Sequence, residues 1–257
     1  MIRRAFTVTE FVATFVLALM VLGLSQAMLG CGGGGGGSRS SSEDNVAKAR
    51  AGKIVQMMAN FSPGNSDYYP GLRRGGNEDK SDMIPHTGQY GVKGKSGFDP
   101  AYRIAVLLRH NYIAPEDVLS PGDAAVTAAS LKGTNPGEVT AKNFSFAVLE
   151  LSSGKGRNAE WKVTTSSKAA VVSDRNLGQD ADAGAKSVAT SPWEGVVAFN
   201  DVHVMFEKSP VLANTKYGSQ GPEVATDNLF KTDDDGKGAD AMMTYKSPND
   251  GGVNQNP

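Results

Sequence analysis

The residues whose types and spacing could do chemistry lie near the two ends of the chain. Glu10 stands directly ahead of Phe11–Leu29, a run of 19 residues without a charge. A carboxylate at the edge of such a run costs a few kcal/mol if it enters lipid, so it is a functional suspect by default. Cys31 is the single cysteine. It follows Leu29-Gly30 and precedes Gly32–Gly37, the arrangement of a thiol that takes a lipid and leads into a flexible tether. Near the other end, Asp233-Asp234-Asp235-Gly236 lies close to Asp227 and Asp240. Carboxylates spaced this way can supply several of the six to eight oxygens that calcium takes, with Asp233, Asp235 and Asp227 as ligands. The distal Glu of an EF-hand loop is missing, and a solvated acidic loop is the simpler expectation.

No set of residues suggests catalysis, and the chain is expected not to be an enzyme. Ser173-Asp174-Arg175-Asn176 is polar and follows a buried run, but Ser173 has no evident base, so turn chemistry is expected. The histidines are His86, His110 and His203, too few and too scattered for a metalloenzyme. His203 alternates with Val202 and Val204 and is expected to be hydrogen-bonded within the fold. The glycine run is not a phosphate loop, because no Lys-Ser/Thr follows it. Lys+Arg number 26 against 27 Asp+Glu, a balance that argues against nucleic acid as the main partner. A single cysteine excludes an intrachain disulfide and a Cys-rich zinc site.

The elements that must position these groups begin with the apolar run. At 1.5 Å per residue it reaches about 28 Å, close to the thickness of a hydrocarbon core. Arg3 and Arg4 ahead of it set a cytoplasmic start, which places the remainder outside the cytoplasm. An ordinary signal peptide with Ser25 and Ala27 at its cleavage site is a further export reading. Gly32–Gly37 with Ser38–Ser42 is low-complexity and breaks any helix. Helical character resumes over 43–61, with Val46, Ala49, Lys53-Ile54, Met57 and Met58 forming a stripe and Ser42 as its cap. A second helix is expected over Tyr102–Asn111, and a loop over 73–97. Strands are expected at Phe144–Leu151, Ala169–Ser173 and Val196–Phe206, the last a hairpin turning at Asn200-Asp201 with Trp193 packed on it.

Arg3-Arg4-Ala5-Phe6-Thr7-Val8-Thr9-Glu10 resembles the prepilin cleavage signal of type IV pilins and type II secretion pseudopilins. Phe6 matches the first mature residue of that signal and Glu10 its fifth-position glutamate; Ala5 stands where glycine is usual. The resemblance implies cleavage between Ala5 and Phe6 by prepilin peptidase and N-methylation of Phe6. Glu10 would then pair with the free amino group of a neighbouring subunit's Phe6. Such pairing removes a desolvation penalty and fixes the axial step of a filament. A second resemblance runs through the order Tyr69-Pro70, Val172 to Asn176, Trp193 to His203-Val204 and Asp227-Asn228-Leu229-Phe230. It is similar to large bacterial pseudopilin-like families with an Asn/Asp-Gly-His-Val hairpin, where Val202 replaces the usual glycine. The calcium loop of major pseudopilins adds weight to the acidic cluster.

The resulting expectation is an α+β chain with an antiparallel sheet. Residues 1–5 form a leader, 6–30 a transmembrane helix, 31–42 a hinge, 43–245 a periplasmic domain and 246–257 a tail. Its expected role is structural, as a filament subunit in the bacterial inner membrane. Its partners would be other pseudopilin subunits, prepilin peptidase and the inner-membrane assembly platform, with a separate ATPase supplying energy. No cofactor is required, calcium apart. The alternative is a periplasmic envelope or binding protein lipid-anchored at Cys31.

Overall fold

The structure is a computed structural model. It describes residues 39–79, 88–92, 96–124, 126–151, 156–164, 166–178, 184–187, 192–213, 226–231 and 242–246. The chain divides into two units, Met1–Gly36 and Gly37–Pro257, and the described residues belong to the second.

The first described helix, α1, spans Ser41–Phe61. Its start is set by a capping box. Ser40 is extended, its hydroxyl accepts from the Glu43 backbone N–H at 3.3 Å, and the Glu43 carboxylate accepts from the Ser40 N–H at 2.9 Å. These hydrogen bonds hold the Glu43 carboxyl below its ordinary value. Ser40 therefore caps the helix, and Ser42, expected as the cap, lies in its first turn. The buried stripe is Ala47, Ala51, Ile54, Val55 and Met58. It is rotated from the expected one, leaving Val46 and Ala49 exposed. The cause is close packing: a Cβ added to Gly52 would meet the Val204 side chain at 3.1 Å. Small residues are needed where the helix approaches the sheet, so the alanines face inward.

That sheet has five antiparallel strands. β3 is Phe146–Leu149, β4 Ala170–Asp174, β5 Gly195–Phe199, β6 Val204–Glu207 and β9 Met243–Thr244, in the order β6-β5-β4-β3-β9. The strands β3, β4 and β5 are buried along their whole length, which explains the apolar runs 146–149, 170–172 and 195–199. Two small hairpin sheets flank it, β1 (Leu72–Arg73) with β2 (Asn77–Glu78) and β7 (Val211–Ala213) with β8 (Thr226–Asn228). The first interrupts the segment expected to be a loop. Helix α2 spans Pro100–Arg109, begins at an Asp99 cap and is buried from Pro100 to Leu108. Trp193 is fully buried and meets Phe230 edge-on at 5.3 Å.

The expected fold of a transmembrane helix leading into a pilin-like domain is corrected by this arrangement. Among the described residues no helix is long and apolar enough to cross a membrane. The first described helix is α1, whose exposed residues are mostly polar and whose buried stripe packs on the sheet. The span expected to be transmembrane, 6–30, lies outside the described residues.

The β5–β6 hairpin turns as a three-residue loop. The Val202 N–H donates to the Phe199 carbonyl at 2.9 Å and the Phe199 N–H to the His203 carbonyl at 3.0 Å. This geometry needs a left-handed residue after the turn. Val202 fills that place with φ +72°, and its side chain is 36% exposed. A β-branched residue there is strained by about 1–2 kcal/mol, and little packing is lost by removing its side chain. Val202→Gly is expected to stabilise the domain by about 1 kcal/mol, read as a higher midpoint in urea. An unchanged or lower midpoint would show that the valine is not strained.

Candidate functional site

The described chain enters the domain through a buried ion pair. Arg39 is the sole charged residue in 31–42, and its side chain is 3% exposed. Its Nη1 donates to Asp174 Oδ2 at 2.7 Å. Asp174, at the end of β4, is wholly buried, and its carboxylate has two further donors. The Val196 N–H reaches Oδ2 at 2.9 Å and the Ser120 hydroxyl reaches Oδ1 at 2.8 Å. One carboxylate thus joins the entering chain, β4, β5 and the 114–123 segment. That segment is also tied to α1, by Arg50 to the Leu119 carbonyl at 2.8 Å and by Lys53 to Asp117 at 2.7 Å. Asp44, in the first turn of α1, feels the same burial. Desolvation raises its carboxyl above the ordinary value, against the pull of Arg39 and Lys48.

The neighbours of Asp174 extend this network. Arg175 donates to Asp123 at 2.9 Å and to the Ala141 carbonyl at 3.3 Å, with its guanidinium 5.0 Å over the Tyr245 ring. The Asn176 side-chain oxygen accepts from the Gly178 and Lys186 N–H groups at 2.8 and 3.0 Å. Ser173 is fully buried and donates to the Asp174 carbonyl at 3.0 Å, so it presents no hydroxyl to solvent. The polar tetrapeptide 173–176 is therefore a set of pins. Turn chemistry holds for Asn176, while Ser173 and Asp174 complete a strand. What this arrangement can do is mechanical: it fixes Arg39, the first described residue, to β4 of the domain.

The other sequence-derived residues are dispersed. Ala5, Phe6, Glu10, Cys31, Asp233 and Asp235 lie outside the described residues, as does His86. Asp227 is 4% exposed within β8, opposite Leu212 of β7. Among the described residues no group of three or more His, Cys, Asp or Glu could hold a metal ion. His110 is exposed after α2. His203 stacks on Phe199 at 4.3 Å and its Nδ1 is bonded to Asp201, the internal hydrogen bond expected of it. Arg39 was not anticipated as a site residue. Its signal was its isolation, a lone charge in a Gly/Ser run.

Comparison of the chain with protein-family models, curated proteins and solved structures gives no match.

Proposed function

We propose that the chain is a pseudopilin-like structural subunit of a type II secretion or type IV pilus-like filament. It is cleaved by prepilin peptidase between Ala5 and Phe6, held at the bacterial inner membrane, and carries its folded domain in the periplasm. The observation that carries this reading is Glu10. It lies four residues beyond Phe6, behind Arg3-Arg4, and directly ahead of 19 uncharged residues. A carboxylate so placed is costly alone and useful when a neighbouring subunit's amino group neutralises it. The Arg39–Asp174 pair suits this role, because a subunit drawn by its N-terminal segment needs that segment fixed to the domain.

A second reading is favoured by the start of α1. The capping box at Ser40 ends the helix there, so α1 does not continue backwards as one rod. A domain whose first described helix is capped at Ser40 fits a periplasmic envelope protein anchored by a lipid on Cys31.

The mature N-terminus, measured by mass spectrometry on the membrane fraction, decides between them. A chain beginning at methylated Phe6 is expected, and Glu10→Ala should then abolish incorporation into filaments. A chain beginning at lipidated Cys31 would overturn the filament reading, since Glu10 would be absent from the mature protein. Cleavage after Ala27 would overturn both.

A further inference from the structure

The strand β6 forms one edge of the five-stranded sheet, paired on one side by β5. No other described strand pairs with it. Edges of this kind are usually blunted by charge, proline or a bulge, because their free N–H and C=O groups are templates for another strand. At the middle of β6 sits Met205 instead, 48% exposed, more than any other large hydrophobic residue among the described ones.

The pairing phase fixes what this edge offers. The Phe199 N–H bonds the His203 carbonyl, so His203, Met205 and Glu207 turn their backbone groups toward β5. By alternation, the N–H and C=O groups of Val204 and Phe206 point outward. Side chains alternate as well. Val204 packs toward Gly52 of α1, which puts His203, Met205 and Glu207 together on the opposite face.

We infer that β6 is a self-pairing edge, at which a second copy of this chain adds its own β6 antiparallel about a two-fold axis through Met205. In that register Val204 of each copy exchanges both backbone hydrogen bonds with Phe206 of the other. Met205 lies across from Met205, and the imidazole of His203 lies across from the carboxyl of Glu207. The strand is complementary to itself in all three respects, so a second copy is the occupant that its own sequence specifies. Opposite polar partners and an apolar centre are the cross-strand pairs that stabilise a sheet. The contact is isologous and closes on itself, unlike the open contacts of a filament. It does not rest on the function proposed above.

The test uses the whole chain in detergent, with Cys31→Ser so that no other thiol is present. The residues directly opposite at the axis form a non-hydrogen-bonded pair with Cα atoms about 4.5 Å apart, within the range a disulfide spans. Met205→Cys is therefore expected to give a disulfide-linked homodimer under mild oxidation, at a yield severalfold above Val163→Cys. Val163 is 41% exposed and lies off this edge, so it reports random collision. In the unoxidised protein, Met205→Lys is expected to shift the mass measured by light scattering from dimer to monomer, with the folded circular dichroism spectrum retained. Equal cross-linking at both positions would overturn the inference, as would a monomeric parent protein. Cross-linking of Met205→Cys to a different protein would also overturn it, by assigning the edge to another occupant.

Discussion

Asp174→Ala is expected to destabilise the domain by about 3–5 kcal/mol, the range for breaking a buried pair from one side. The carboxylate is wholly buried and satisfies the Arg39 guanidinium, the Val196 N–H and the Ser120 hydroxyl together. Its removal leaves an uncompensated charge and two unsatisfied donors in the interior. Arg39→Ala should cost less, because Asp174 keeps two neutral donors. Arg39→Lys should cost least. Only Nη1 of the guanidinium is used, while Nε and Nη2 have no partner, so an ammonium can replace that one contact. The double variant Arg39→Ala/Asp174→Ala should fall short of the sum of the single effects by about 1–3 kcal/mol. Urea unfolding followed by the fluorescence of the buried Trp161 and Trp193 measures all four. Equal losses for Arg39→Ala and Asp174→Ala would show that the ion pair, and not the shared carboxylate, dominates. The site has no slack: a Cβ at Gly195 would lie 2.8 Å from the Asp174 Cβ, so Gly195→Ala should displace the carboxylate.

The parts of this fold that could be read from sequence are those governed by local rules. Ala169–Ser173 and the two arms around Asn200-Asp201 carry β-branched and aromatic runs, and they became β4, β5 and β6. Asp99-Pro100 is a helix start, and α2 begins there, slightly ahead of the expected Tyr102. The rest depended on partners distant in sequence. Asp174 read as a turn residue because nothing near it shows that Arg39, 135 residues away, supplies its charge partner. The stripe of α1 was placed in part: Ile54 and Met58 are buried as expected, but Val46 is more apolar than Ala47 and yet lies outside, where the helix runs so close to β6 that a Cβ on Gly52 would meet Val204 at 3.1 Å. The pairs β1–β2 and β7–β8 escaped notice because strands of two or three residues have no period to detect. The leader, the apolar run, Cys31, Asp233 and Asp235 lie outside the described residues, so their reading still rests on residue types and spacing.

Arg103→Ala is expected to cost about 4 kcal/mol, and Arg103→Met markedly less. An arginine in the middle of α2 reads as a surface residue, yet it is 1% exposed. Its Nη1 donates to the Leu149 carbonyl at 2.6 Å and its Nη2 to the Phe98 carbonyl at 3.3 Å. Its Cζ lies 4.7 Å over the Trp161 ring, whose Nε1 donates to the Pro70 carbonyl at 2.7 Å. Burial lowers the guanidinium to about 9, against the pull of Asp99 and Glu150, so it is still charged at neutral pH. The side-chain stem fills the space beside Gly71, where an added Cβ would meet Arg103 Cγ at 2.8 Å. Alanine would leave a cavity between Gly71 and Trp161 and would remove the arginine's hydrogen bonds to two carbonyls. Methionine keeps the stem and the contact with the ring, and it removes a charge whose desolvation works against folding. Its remaining cost is that of the two carbonyls, about 1–3 kcal/mol. Lysine keeps the charge but cannot span both acceptors with a planar fork, so Arg103→Lys should be worse than Arg103→Met. Urea midpoints give the order, and the Trp161 emission wavelength reports whether the ring becomes wet. If Arg103→Met is as damaging as Arg103→Ala, the carbonyl bonds hold this corner together. If it is mild, packing against Trp161 does.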